Sequence, residues 1–211
     1  MPITSKHLIM KYYLLFILII FFTSCKRILL IAEGIKQPKL ENQKSLSNFL
    51  LKKEIDTLEL LCFKDTTALN TLYRKKIVLP DSRFFNNKRE LVPYKSSPED
   101  CNGKVAVFLE QAESINKSPS VPDERLETFL QDVVYENDLR PFSMEPDNYD
   151  FYLVIYWAKY LGKVNKHKVF DWLNLVEEAR KRGMKIRVIK VNADYQGLWG
   201  LKKRDLPHFE Y

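Results

Sequence analysis

The chain is poor in cysteine and histidine, with three of each among its 211 residues. The cysteines, Cys25, Cys62 and Cys101, stand too far apart to form a CxxC motif, and the histidines are scattered. Zinc sites and dithiol redox centres both need such residues at short spacing. The sequence therefore predicts no metal ion and no other cofactor.

Glycine is also scarce, since only six glycines are present. They form neither a phosphate-binding loop nor a dinucleotide-binding GxGxxG pattern, and the sequence contains no GxSxG nucleophile elbow. These absences exclude the nucleotide-binding and hydrolase motifs that can be recognised from sequence. No catalytic residue is predicted.

The chain lacks a long basic stripe, although Lys and Arg outnumber Asp and Glu by 34 to 27 and the formal net charge is +7. The densest basic run, residues 180–182, ends a predicted helix, where cations offset the helix dipole. Nucleic-acid binding is therefore not expected. The positive excess suits an anionic lipid surface or acidic partners, and the simpler interpretation is a solvated surface.

The strongest positive signal lies near the start of the sequence. Lys6 and Lys11 precede eleven consecutive apolar residues, 12–22, and a cysteine follows soon after. A spanning helix needs about 20 apolar residues, so this run has the length of a signal-peptide hydrophobic region. The sequence at 22–25, FTSC, resembles the lipobox of bacterial lipoproteins, although Phe22 stands where Leu, Val or Ile is usual.

This resemblance implies a signal peptide over residues 1–24 and a diacylglycerol on Cys25 that anchors the chain in a lipid bilayer. Residues 25–44 would be the anchor and tether. Lys26 and Arg27 follow the cysteine, and the lack of an acidic residue there implies sorting to the outer membrane in this family. An uncleaved anchor and an ordinary cleaved signal are the alternatives.

The two remaining cysteines have two interpretations. Export implies an oxidising compartment, where a disulfide between Cys62 and Cys101 would close a loop of about forty residues and add about 3–4 kcal/mol. Alternatively, Cys62 is a buried small hydrophobe within an apolar strand. Cys101 opens a predicted helix, a position that favours a thiolate.

Hydrophobic periodicity predicts two α/β halves, residues 45–115 and residues 116–211. The first half has a helix capped by Ser45, strands over 58–63, 82–85 and 90–94, a turn over 86–88, and helices after Asp65 and Asp100. Pro93 predicts that the 90–94 strand lies at a sheet edge. The second half has a helix from Asp123 to Val133, a loop over 136–150, strands over 151–157 and 186–191, and a helix over 164–182.

The strand over 151–157 is almost continuously apolar, which predicts a central position covered on both faces. Its continuation, residues 153–164, reads LVIYWAKYLGKV and resembles the active-site strand and turn of thioredoxins. Trp157, Ala158 and Gly162 stand at the matching positions, and Tyr160 replaces the second aromatic residue. The resemblance continues to residue 194 and implies a thioredoxin-like three-layer α/β sandwich with a parallel strand–helix–strand crossover.

The differences between this sequence and the thioredoxin pattern determine which chemistry the turn could support. The two redox cysteines align with Leu161 and Val164, and neither side chain can supply the thiolate that disulfide exchange requires. Residues 58–90 resemble the thioredoxin half that contains a cis-proline, which implies a cis bond before Pro80. That half comes first in this chain, which suits either a circularly permuted domain or two packed half-units. The alternative to a cis bond is that Leu79 and Pro80 simply start a strand.

The expected function is a non-catalytic, membrane-anchored module that binds a protein or peptide partner in the cell envelope. The resemblance implies a binding surface around the degenerate turn, made of Trp157, Tyr160, Leu161, Gly162, Val164 and Pro80. One alternative is a thiol-disulfide oxidoreductase that uses Cys62 or Cys101 in place of the missing pair. Another is a structural lipoprotein whose body packs against the envelope.

Overall fold

The structure is a computed structural model, and it describes residues 30–75, 77–94, 104–111, 118–144 and 148–208. The strands are β1 (Leu40–Glu41), β2 (Leu61–Phe63), β3 (Asp81–Asn86), β4 (Glu90–Val92), β5 (Val121–Arg125), β6 (Val133–Tyr135), β7 (Phe151–Trp157), β8 (Ile186–Asn192) and β9 (Tyr195–Gln196). The helices are α1 (Gln43–Leu51), α2 (Thr66–Arg74), α3 (Lys104–Glu110), α4 (Leu126–Leu130) and α5 (Asp171–Lys181).

Seven of these strands form one mixed, mostly antiparallel open sheet in the order β5–β4–β3–β7–β8–β2–β6. Strand β8 runs parallel to β7 and β2, and the other neighbours are antiparallel. The parallel pairing of β7 with β8 through α5 confirms the predicted strand–helix–strand unit. Residues 45–115 and 116–211 both contribute strands, so the two predicted halves share one sheet.

The buried residues of strand β7 explain why helices cover both faces of the sheet. All seven of its residues are buried, as predicted for a central strand. Its odd-numbered residues pack in a core with α1, α3 and α5, and its even-numbered residues pack in a second core with α2 and α4. Because successive strand residues point to opposite faces, a continuous apolar run is what a sheet with helices on both sides requires.

A small second sheet attaches the segment before α1 to the end of the large sheet. Strand β1 pairs in parallel with β9, with Leu40 opposite Tyr195 and Glu41 opposite Gln196. Strand β9 follows directly after β8. The pairing therefore holds the segment before α1 near the edge where β7 and β8 end.

The peptide bond between Leu79 and Pro80 is cis, which confirms that expectation. Pro80 is buried and directly precedes β3. In the antiparallel pairing of β3 with β7, Asp81 lies opposite Tyr156. Pro80 therefore lies at the end of β7 where the resemblance places the degenerate turn.

Two boundaries in the first half differ from the prediction. Helix α1 is capped by Asn42, whose side chain accepts the Ser45 N–H, while the Ser45 hydroxyl accepts from the Asn42 N–H in return. Ser45 is thus the third residue of the helix and completes a capping box. Strand β2 begins at Leu61, because Leu58 lies outside the sheet and is 90% exposed.

The hairpin between β3 and β4 also differs in detail. The positive φ of the turn falls on Arg89, at 63°, one residue beyond the predicted turn over 86–88. The Asn86 side chain instead accepts the backbone N–H groups of Lys88 and Glu90 and so holds the turn together. The predicted edge position of β4 is wrong, since β5 pairs with it. Pro93 lies beyond the end of β4.

The predicted helix from Asp123 to Val133 is wrong. The segment contains the end of β5, the short helix α4 and the start of β6. Four of the five residues of β5 are exposed, so the strand has no apolar alternation that its sequence could reveal. Within the predicted span only α4 is helical, and its buried residues Leu126 and Leu130 have the spacing of one helix face.

Candidate functional site

The most distinctive local structure follows β7. Residues Lys159–Asn165 form a 3₁₀ turn, and Lys166–Phe170 form a π-helical turn that leads into α5. Gly162 interrupts the first turn with φ 58° and ψ −124°, a conformation that suits glycine. The turn lies at the carboxyl end of the parallel strands β7 and β8, where open α/β sheets commonly bind ligands.

Asp194 holds the beginning of this turn in place from beneath. Its carboxylate accepts the backbone N–H of Lys159 at 2.6 Å and that of Tyr160 at 3.4 Å. It also accepts the side-chain amide of Asn192 at 2.7 Å. Burial raises the pKa of Asp194 to about 6, against the effect of these hydrogen bonds. Asp194 is therefore a positioning residue for the turn.

The segment before β1 lies directly over the turn. The Lys36 N–H donates to the Tyr160 carbonyl at 2.8 Å, and the Lys163 N–H donates to the Glu33 carbonyl at 2.7 Å. A β-carbon on Gly162 would overlap the Gly34 carbonyl and come within 2.7 Å of the Glu33 oxygen. Glycine at 162 is thus required both by its φ and by the backbone that crosses it. We call residues 32–36 the covering segment.

The side chains that the thioredoxin resemblance pointed to lie mainly beneath this surface. Trp157, Tyr160, Leu161 and Pro80 are buried, and only Gly162 and Val164 are partly exposed. Trp157 stacks on Phe49 of α1, with ring centroids 5.8 Å apart and planes 8° apart. A partner could therefore reach few of these side chains directly. Their binding role stays a prediction, and their observed role is to form the core below the turn.

Tyr160 illustrates this internal role. Its hydroxyl lies 3.2 Å from the hydroxyl of Tyr73 on α2, within hydrogen-bond distance. Burial raises the pKa of Tyr160 to about 12. The tyrosine remains neutral at physiological pH and connects the turn to α2.

A cleft of about 560 Å³ opens beside the turn. Its walls come from the covering segment and the residues after it, from α1, and from the turns that follow β7. The lining residues are Gly34, Lys36, Gln37, Lys39, Glu41, Phe49, Lys53, Lys159, Tyr160, Gly162, Lys163, Lys166 and Phe170. Because six of these are lysines, we call this space the lysine cleft.

The lysine cleft could not be predicted from the sequence, because its walls come from separate parts of the chain. The Lys159 ammonium lies 2.6 Å from a carboxylate oxygen of Glu41, which also accepts the Ser45 hydroxyl. Glu41 is buried at the end of β1. No local sequence pattern links residues 41 and 159, so the contact could be seen only once the strand pairing was known.

The structure places Cys62 in an unreactive environment. Its free thiol is fully buried in β2, and burial, with a further contribution from Glu136, raises its pKa to about 12. The thiol is therefore protonated at neutral pH, which disfavours nucleophilic chemistry. Cys25 and Cys101 lie outside the described residues, so lipidation and the disulfide both stay predictions.

The described residues offer no group of three or more His, Cys, Asp or Glu placed to hold a metal ion. Among the same residues, no helix combines the length and apolar character needed to cross a membrane. Comparison with protein-family models, with curated proteins and with solved structures gives no significant match. The fold and the site thus define a mixed α/β protein with a lysine-lined cleft at the carboxyl end of its parallel strands.

Proposed function

We propose that this chain is a lipid-anchored protein of the bacterial cell envelope whose body binds a protein or peptide partner without thiol chemistry. The observation that carries the proposal is the lysine cleft, which lies beside the turn after β7. In the thioredoxin resemblance, Leu161 and Val164 of this turn align with the redox cysteines. Binding needs an accessible, shaped surface and does not need a nucleophile. The buried Cys62 supplies no substitute for the missing thiols.

We further propose that the body is a thioredoxin-like domain with a permuted chain order. The order β2–β8–β7–β3–β4 puts the two parallel strands of the crossover unit side by side, with an antiparallel hairpin next to β7. The degenerate turn and Pro80 lie at the same end of this sheet. The contribution of both chain halves to one sheet supports a single domain rather than two packed half-units.

The proposed anchor would keep the cleft close to a membrane. Six residues, 26–31, separate Cys25 from the covering segment, so they span at most about 22 Å when fully extended. A partner at the cleft would therefore be a membrane-associated or envelope protein. This supports a role in which the lipid anchor sets the location and the cleft selects the partner.

Position-specific photo-crosslinking in intact cells tests the partner. A benzophenone side chain placed at Lys53 or Lys166, both exposed in the cleft wall, is expected to capture one recurrent envelope protein. The same side chain at Lys88 or Lys203, which are exposed elsewhere, provides the matched control. Capture of the same species from all four positions, or from none, would argue against a partner at this cleft.

A further inference from the structure

The lysines of the cleft come from separate parts of the chain that the fold brings together. One lies in the covering segment, one lies between that segment and β1, one lies just after α1, two lie in the 3₁₀ turn and one lies in the π-helical turn. They are, in chain order, Lys36, Lys39, Lys53, Lys159, Lys163 and Lys166. Among the described residues that line the cleft, Glu41 is the one acidic residue.

Most of this positive charge is not neutralised. Lys159 pairs with Glu41, and the Lys163 ammonium donates to the Ala32 carbonyl at 3.0 Å. Among the residues that the structure describes, the other four lysines make no ion pair, and all four are exposed. Like charges gathered around one cleft repel each other, and an anionic ligand relieves that repulsion.

The cleft also has an apolar component. Phe49 and Phe170 are half-buried in its wall, with ring centroids 6.4 Å apart. Phe49 is fixed from behind by its stacking on the buried Trp157. Aromatic side chains held in this way provide a rigid surface for an apolar side chain of a ligand.

We infer that the lysine cleft binds an acidic peptide segment of the partner, with carboxylates on the lysines and an apolar side chain against Phe49 and Phe170. This inference rests on the proposed function and names the chemistry of its partner. Seven of the thirteen lining residues, from Gly34 to Lys53, lie outside residues 58–90 and 151–194. The site therefore shares Tyr160 and Gly162 with the turn surface that the thioredoxin resemblance implied, but it extends well beyond that surface.

The arrangement of donors favours a peptide over a single phosphate group. Tight phosphate sites bring backbone N–H groups or the paired donors of arginine onto one point. Here the described residues of the lining include no arginine, and the lysines are separate point charges on flexible stems from different segments. Such a distribution matches several carboxylates spaced along an extended chain.

A binding experiment with the full acylated chain tests the inference. The probe is a fluorescent peptide of alternating glutamate and leucine, with the glutamine–leucine peptide as its neutral counterpart. The variant K36Q/K39Q/K166Q removes three cleft charges, and K88Q/K181Q/K203Q removes three exposed charges from outside the cleft. We expect at least about tenfold weaker binding of the acidic peptide in the cleft variant and less than about twofold in the control.

Several outcomes would overturn the inference. One is equally weakened binding of the acidic peptide in both triple variants, which would mean that the peptide is attracted to a basic surface in general. Another is cleft-dependent binding of inorganic phosphate, or of phosphatidylglycerol-containing vesicles but not phosphatidylcholine vesicles, without binding of the acidic peptide. If crosslinks from positions 53 and 166 persist while the peptide binds both triple variants equally, the proposed function stands and the acidic ligand does not.

Discussion

Replacing Gly162 with alanine is expected to destabilise the folded chain by about 2–4 kcal/mol. Two costs combine. The φ of 58° is unfavourable for a residue with a β-carbon, and the new methyl group would overlap the Gly34 backbone. A backbone carbonyl cannot rotate away as a side chain can. The covering segment must therefore separate from the turn, with loss of its hydrogen bonds to Tyr160 and Lys163.

Gly200→Ala is the matched control for this prediction. Gly200 also has a positive φ, of 70°, but no atom lies within 4 Å of the position that a β-carbon would occupy. Its replacement carries only the backbone cost, about 1 kcal/mol. Urea unfolding followed by tryptophan fluorescence measures both variants, and proteolysis within residues 30–36 reports detachment of the segment. Equal destabilisation by the two substitutions, with unchanged proteolysis, would contradict the close contact.

Cys62 is expected to react with a maleimide or iodoacetamide at least about a thousandfold more slowly in the folded chain than in the unfolded chain. The pKa rises from 9.0 to about 12, which lowers the thiolate fraction at neutral pH by about three orders of magnitude. Complete burial in β2 adds a steric barrier. Mass spectrometry of the peptide that contains Cys62 follows this site separately from the other cysteines.

The same measurement separates the binding module from the alternative oxidoreductase. Unfolding in guanidinium should restore rapid labelling of Cys62, and Cys62→Ser should remove the signal. Labelling of the native thiol at a rate within about tenfold of the unfolded rate would show a reactive group. That result would favour an enzyme that uses Cys62.

The centre of the fold could be predicted because its residues carry strong, regular signals. Strand β7 is apolar throughout, and α5 repeats its buried positions Trp172, Val176 and Ala179 at helical spacing before the positive φ of Gly183. Asp65 was correctly identified as a helix start, and its side chain caps α2. Burial or local hydrogen bonding determines each of these features. Both leave a local pattern that can be recognised in a single sequence.

The candidate site could be predicted only in part. The position of the turn after β7 was predicted from Trp157, Ala158 and Gly162, but the sequence could not show that the turn's aromatic and aliphatic side chains face inward. It also gave no sign that residues 32–36 cross Gly162 or that Glu41 meets Lys159. These contacts join segments more than a hundred residues apart through short strands and polar groups. Such contacts depend on tertiary packing and leave no periodicity in the sequence.

The position of the cleft near a membrane depends on the proposed lipid at Cys25. Mass spectrometry of the chain isolated from cell membranes tests this claim most directly. We predict an N-terminal fragment that begins at Cys25 and carries a diacylglyceryl group on its sulfur. An N-terminus at another residue, or a Cys25 with an unmodified thiol, would contradict the account.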